Sequence, residues 1–102
     1  MDLSNKITFQ KTEHYSFMKL HGANFYICLD CESPVGYIGV INQDIRVATH
    51  PDHQGKGVAK FMVNELMKKK PTAIAKVKVN NQASLRLFES CGFKKRYFLL
   101  EK

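Results

Sequence analysis

The feature that most constrains this chain is the run Gln54-Gly55-Lys56-Gly57-Val58-Ala59, set between a strand-like segment that Pro51 ends and a long amphipathic helix. Val58, Ala59, Met62, Val63, Leu66 and Met67 recur at the spacing of one buried helical face, so residues 56 to 70 form the clearest helix of the sequence. Lys68, Lys69 and Lys70 occupy its last turn, where cations suit the helix macrodipole, and Pro71 stops it. Ala73 to Val79 then reads as a strand, and a helical crossover obliges it to lie parallel to the strand before Pro51. A β-α-β unit with glycines at its helical entry is therefore the centre of the predicted fold.

Other elements assemble around that unit. Phe25 to Leu29 and Val35 to Ile41, joined by the turn signal Glu32-Ser33-Pro34, predict a hairpin. Asn42-Gln43-Asp44 makes a second tight turn before Ile45 to Thr49, which gives an antiparallel meander because the connections are too short for crossovers. Residues 8 to 21 suggest a first helix, with Thr8 as its N-cap, His14, Phe17, Met18 and His21 on one face and Gly22 as the stop. Asn80 or Asn81 caps a later helix with Ser84, Leu87, Phe88 and Cys91 on its inner face, and Gly92 ends it. Tyr97 to Leu100 reads as a closing strand. The expected class is α+β: a mixed, mostly antiparallel sheet with a central parallel β-α-β unit and helices packed on it. At 102 residues, 1–102 is read as a single domain.

Composition narrows the partners. A hydrophobic fraction of 44% with 25% charged residues is that of a globular domain, not a disordered tail. The net charge of +7 predicts an anion-attracting surface, for which nucleic acid, an anionic membrane or a phosphorylated small molecule would serve. The cations are spread along the chain without a basic tail and no nucleic-acid module is recognisable, so neither nucleic acid nor membrane is expected as the partner. No apolar run approaches the roughly 18 residues of a membrane span, and Met1 to Lys6 lack a secretory pattern, so a cytoplasmic location is the expectation. Cys28, Cys31 and Cys91 are an odd set that fits reduced thiols. Cys28 and Cys31 do make a C-x-x-C spacing, followed by His50 and His53. A strand places positions three apart on opposite faces, however, and the His pair is one residue closer than metal-binding spacing, so packing cysteines and no metal are expected.

The glycine run points to chemistry. The first N–H groups of a helix lack internal partners, and with the positive end of the macrodipole behind them they form an anion site. Gly55 and Gly57 remove side chains that would hold a phosphate off the backbone, and Lys56 and Lys60 add charge. The simpler alternative is that two glycines only permit a tight strand-to-helix turn. The spacing matches neither the Walker nor the Rossmann pattern.

Gln54-x-x-Gly57-x-Ala59 does match the [Q/R]-x-x-G-x-[G/A] signature of the GNAT superfamily of N-acetyltransferases. Val47 to His53 resembles that family's approach to the signature, and Asn81 to Phe93 resembles its N-x-x-A-x-x-[LF]-Y-x-x-x-G-F segment. The resemblance covers roughly residues 36 to 95 and implies a small-molecule amine acceptor with acetyl-CoA as cosubstrate. It implies that main-chain groups of Val47, Ala48 and Thr49 pair with the pantetheine arm, and that the backbone of Gln54, Gly55, Lys56, Gly57, Val58, Ala59 and Lys60 holds the pyrophosphate. Asn81, with Ser84 nearby, either reaches the pantetheine amides or merely caps the helix. Asp44 lies close to where many relatives carry an acidic base, although Asn42-Gln43-Asp44 also suits plain turn chemistry. His50 and His53 are alternative bases by residue type.

Two departures qualify the resemblance. Phe88 stands where the family carries a tyrosine proposed as general acid, so a proton must come from water or from Tyr97, Ser84 or Cys91. The family's usual first strand and first helix have no counterpart beyond the helix around residues 8 to 21, which leaves Phe25 to Leu29 or a neighbouring strand as an expected open edge and suggests a homodimer, the alternative being that the first helix covers the edge and leaves a monomer. The stretch Thr12 to Phe17, read as helical, resembles bacterial enzymes that acetylate amino-sugar nucleotides. The competing function is a catalytically weak acetyl-CoA-binding sensor or scaffold module.

Overall fold

The computed structural model describes residues 15–20 and 24–102. Four strands form one antiparallel sheet in the order β1-β2-β3-β4, with β1 Tyr15–Lys19, β2 Phe25–Asp30, β3 Ser33–Ile41 and β4 Asp44–Thr49. Helix α1, Val58–Lys69, packs across one face of β3 and β4, and α2, Gln82–Ser90, packs beside α1. The chain is thus α+β, as its sequence indicates. No described helix is long and apolar enough to cross a membrane.

The meander follows the apolar runs, with two corrections at its first turn. The tight turn is Cys31-Glu32, with φ of 50° and 82°, closed by the pair Asp30 and Ser33. Such doubly left-handed turns match the right-handed twist of a hairpin, although non-glycine residues in this region cost about 1–2 kcal/mol each. Pro34, expected in the turn, instead pairs with Leu29 at a register shift, a bulge where a missing N–H is tolerated. Asn42 and Gln43, at φ of 52° and 67°, form the second turn as the sequence suggests.

The expected helix over residues 8 to 21 is corrected where the structure describes it. Tyr15–Lys19 is strand β1, paired antiparallel with β2 from Tyr15 and Asp30 to Lys19 and Tyr26. The ring of Phe17 stacks on Tyr26 at 5.2 Å and meets Phe61 of α1 edge-on at 5.8 Å, so aromatic packing overrides the helical spacing. Thr8, His14, His21 and Gly22 lie outside the described residues. One consequence is that β2 is flanked on both sides, so that among the described strands β1, its neighbour, and not β2 stands at that end of the sheet.

Neither of the last two expected strands forms. Residues 73–79 touch β4 through one parallel bridge, Asp44 to Ile74, and then leave it; the parallel direction is as expected, the ladder is not built. Residues 97–100 pair with no described strand and stay 81–94% exposed. A strand is defined by its ladder, so apolar alternation without a neighbour leaves only extended chain.

Helix α1 is seated by a close approach. Its buried face, Val58, Phe61, Met62, Val63 and Leu66, contributes most of the core with Val35, Ile38 and Ile45 of the sheet. Phe61 joins this face although its position was not read as apolar-facing. Glu65 is also buried there and accepts a 2.9 Å hydrogen bond from Lys68. A Cβ on Gly36 of β3 would lie 2.7 Å from the Ala48 carbonyl oxygen and 2.8 Å from Met62 Cε. The methionine tip can move and the backbone oxygen cannot, so Gly36→Ala is expected to destabilise the fold by about 1–3 kcal/mol in urea denaturation. A variant as stable as the parent would show that α1 does not depend on this approach.

Candidate functional site

The open side of β4 generates the site. Ile45 N–H donates to the Ile74 carbonyl at 2.9 Å and Ile74 N–H to the Gln43 carbonyl at 2.8 Å, and beyond Ile74 the two segments part. His50 N–H, by contrast, donates to the Val35 carbonyl of β3 at 2.7 Å. Backbone groups alternate sides along a strand, so these bonds fix the orientation of all of β4. The amides of Val47 and Thr49 face outward into the gap, and those of Arg46 and Ala48 face β3. The expectation that Ala48 offers main-chain groups to a ligand is therefore corrected: its partner is Tyr37 of β3.

The gap is a cleft of about 680 Å³. Its wall on the helical side is neutral, formed by Ile45, Val47, Val77, Asn81, Ser84 and Phe88. Phe25, Tyr37, Ile41, Arg46, Lys76 and Lys78 form the other wall, on the opposite face of the sheet.

Past the end of β4 the chain turns into α1. His50 Nδ1 accepts from Asp52 N–H at 3.1 Å, which caps the short 3-10 turn Pro51–His53, and Gln54 Nε2 donates to the Thr49 carbonyl at 3.4 Å. Gln54 therefore braces the approach to the helix. Gly55 and Gly57 have φ of 78° and 83°, and an added Cβ at either would meet nothing within 4 Å. Conformation, not crowding, requires glycine there, and the space in front is open. Gly57 caps α1 without a side-chain hydrogen bond, and the first turn holds no acidic residue. The Gly57 carbonyl accepts from Phe61 N–H at 3.0 Å, while the N–H groups at the helix start have no carbonyl before them to reach. Val58 turns its side chain into the core at 1% exposure, whereas Lys56 and Lys60 are exposed beside the open end.

Helix α2 begins differently. Asn81 Oδ1 accepts from Ser84 N–H at 3.1 Å, so its entrance is closed by a side chain. Asn81 also lines the cleft, and the cap occupies only its oxygen.

Of the residues singled out in sequence, Val47, Asn81 and Ser84 come together in the cleft, Thr49 is not among its lining residues although its amide points to the same side of β4, and Gly55 to Lys60 form the α1 entrance. Asp44 does not line the cleft: its half-buried carboxylate meets Arg46 Nη2 at 3.3 Å. Tyr97 is 94% exposed and lies outside it. The cationic wall was missed, though alternation along Arg46-Val47-Ala48 and Lys76-Val77-Lys78 held the signal that these cations share a face.

The thiols stay apart. Cys28 lies in the core, where burial and the nearby Asp30 push its pKa up to about 12, and Cys31 is exposed in the hairpin turn. Burial also raises the Cys91 thiol, against opposing effects of Ser90 and Lys60. Among the described residues no three His, Cys, Asp or Glu side chains group as metal ligands.

Residues 21–95 match the profile described as the acetyltransferase (GNAT) domain. A stretch of 52 residues is 40% identical to the L-amino acid N-acyltransferase MnaT of Escherichia coli (strain K12), covering 46% of this chain and 30% of that protein. The spermidine N-acetyltransferase of Vibrio cholerae, solved with CoA and spermine, superposes with a TM-score of 0.61 at 25% identity, over 76% of this chain and 54% of that one. The diaminobutyrate acetyltransferase EctA of Paenibacillus lautus, solved with L-2,4-diaminobutyric acid and coenzyme A, gives a TM-score of 0.52 at 26% identity, over 66% and 48%. The chain thus spans between 30 and 54% of the length of these relatives.

The cap at Asn81 yields a prediction of its own. Asn81→Ala should lower stability by about 1 kcal/mol through loss of the Ser84 N–H acceptor, whereas Asn81→Asp keeps an acceptor and should be nearly neutral. Equal loss in both variants, measured by urea denaturation, would show that the amide nitrogen rather than the cap oxygen holds this end.

Proposed function

Because the chain belongs to the GNAT acetyltransferase family, we propose that it transfers an acetyl group from acetyl-CoA to the primary amine of a small molecule. The observation that carries this reading is that the outward-facing edge of β4 runs directly into the uncapped, glycine-bearing start of α1. An extended amide-bearing arm can add to such an edge as a strand would, and a pyrophosphate can lie on the free N–H groups beyond it. Val47 and Thr49 then contact the arm by backbone, Gly57, Val58, Ala59 and Lys60 offer N–H groups to the phosphates, and Lys56 and Lys60 add charge. The neutral wall would receive the thioester. Relatives solved with coenzyme A support the choice of cosubstrate.

Acetyl-CoA supplies the activated acyl group when bound; the chain's own part is to hold it, shield it and admit the amine. In the transfer the amine nitrogen bonds to the carbonyl carbon, the C–S bond breaks, the thiolate takes a proton and the ammonium loses one. Among the described residues no carboxylate or imidazole lines the cleft. We therefore assign Asp44 to holding Arg46 through the 3.3 Å contact, and assign removal of the amine proton to water. Phe88 has no proton to give, and Tyr97 does not line the cleft. Among the described residues, Ser84, one helical turn before Phe88, and Tyr37 on the opposite wall are the side-chain hydroxyls that line it.

The acceptor named by resemblance, an amino-sugar nucleotide, loses part of its support, since Tyr15 to Phe17 is strand and not helix. A cytoplasmic setting remains part of the proposal, on the three free thiols. A homodimer would rest on the exposed apolar run Tyr97 to Leu100 and on β1 at the end of the described sheet. A second reading, an acetyl-CoA-binding module without turnover, is favoured by the lack of a carboxylate among the described residues that line the cleft and by Phe88.

Two variants test the proposal. Gly57→Glu puts a carboxylate on the phosphate position and should weaken acetyl-CoA at least about 100-fold in calorimetric titration, whereas Gly57→Ala shares the left-handed strain of about 1 kcal/mol without the charge. Equal affinity of Gly57→Glu and Gly57→Ala would remove the α1 entrance as the binding site.

Phe88 is 6% exposed and packs edge-on against Phe93 at 5.2 Å, yet borders the cleft. Phe88→Tyr should leave acetyl-CoA affinity within about twofold and raise thiol release by about threefold to tenfold, a modest share of what general acids contribute. A fall in turnover together with stability would mean that the ring is packing with no room for a hydroxyl.

A further inference from the structure

We infer that the acceptor amine carries an anionic group, carboxylate or phosphate, which Arg46, Lys76 and Lys78 recognise. This rests on the acetyl-transfer reading above and names the substrate class of the same cleft.

The parallel bridge between Asp44 and Ile74 places those two residues on one face of the sheet. Side chains two apart along extended chain return to the same face, so Arg46, Lys76 and Lys78 follow them there. Arg46 pairs with Gly39 and lies on the face away from α1, where Tyr37 and Phe25 also border the cleft. Among the described residues that line the cleft, this wall thus carries three cations, with the Asp44 carboxylate beside Arg46 on the same face.

Among the described residues, only Asp44, at 3.3 Å from Arg46, partly neutralises this set. Lys76 and Lys78 pair with no described carboxylate. A second ammonium group on an acceptor would meet like charge in this wall, whereas a carboxylate or phosphate beside the reacting amine would be held. Phosphate groups of the cosubstrate have their own place at the α1 entrance, past the end of β4 and on the helical side, where Lys56 and Lys60 stand. Cations around the reacting amine also favour its neutral form, which suits a cleft whose described lining holds no carboxylate or imidazole. The rings of Phe25 and Tyr37, 6.2 Å apart and tilted, offer an apolar flank to the rest of the molecule.

The test compares four acceptors in a thiol-release assay with acetyl-CoA: L-phenylalanine, its carboxamide, glucosamine 6-phosphate and spermidine. The expected result is that L-phenylalanine or glucosamine 6-phosphate exceeds both the carboxamide and spermidine in kcat/KM by about tenfold or more, and which of the two leads identifies carboxylate or phosphate as the source of the charge. Substituting Lys76→Gln and Lys78→Gln together should bring L-phenylalanine within about twofold of its carboxamide while calorimetric affinity for acetyl-CoA stays unchanged. Where turnover is too slow to read, equilibrium binding of the same acceptors to the CoA-loaded protein gives the same ranking. Preference for spermidine or the carboxamide overturns the inference and leaves acetyl transfer standing. So does a double variant that loses acetyl-CoA affinity with acceptor ranking intact, since the lysines would then serve the cosubstrate. Failure of the parent chain to bind acetyl-CoA would remove both readings.

Discussion

The site depends on a sheet edge that is closed at one end and open along the rest. Two backbone hydrogen bonds, from Ile45 to Ile74 and from Ile74 to Gln43, pin the start of β4 to the segment that follows α1. Beyond them that segment departs, and the outward amides of Val47 and Thr49 are left facing a cleft instead of a neighbouring strand. Backbone polar groups are satisfied by a ladder, by water or by a ligand. A longer ladder to residues 75–79 would have closed the edge; no contact at all would have left no opposing wall. The single bridge gives both a wall and a gap.

Core packing keeps that arrangement in place. Met62, Leu66 and Phe61 press α1 onto β3 and β4, and the absence of a side chain at Gly36 lets the helix come close. The start of α1 is therefore aimed past the end of β4 by residues that touch no ligand themselves. The aromatic set Phe17, Tyr26 and Phe61 ties β1 into the same core, which makes β2 an interior strand.

The parts of this molecule that were legible in sequence are those whose signal is local. The α1 period, the turn at Asn42-Gln43 and the Asn81 cap are each decided within a few residues, and each appears where expected. Strand β1 was not legible, because Phe17 and Met18 fit a helical stripe as well as a strand, and only the rings of Tyr26 and Phe61 decide between them. Pro34 within β3 depends on a register shift opposite Cys28 and Leu29, which no local pattern announces. The same division holds in the site. The glycines and the helix entrance follow from a short motif, whereas the cationic wall joins residues from two segments about thirty positions apart and exists only because one bridge sets their register.

That register also explains the use of an excess of positive charge that sequence alone could not localise. Lys68 and Lys69 lie in the last turn of α1, where they face its negative pole, so they are spent within the fold. Lys56 and Lys60 flank the helix entrance, and Arg46, Lys76 and Lys78 line the far wall of the cleft, with the uncharged side chains of Val47, Val77, Ser84 and Phe88 between. The electrostatic profile along the path from helix entrance to far wall is positive, neutral, positive. On the acetyl-transfer reading, phosphate is held at one end, the thioester lies in the uncharged middle and the acceptor's anion is held at the other. A net charge of +7 is then best understood as two separated anion sites plus helix-end compensation, a distribution that a nucleic-acid surface, with its continuous run of phosphates, would not require.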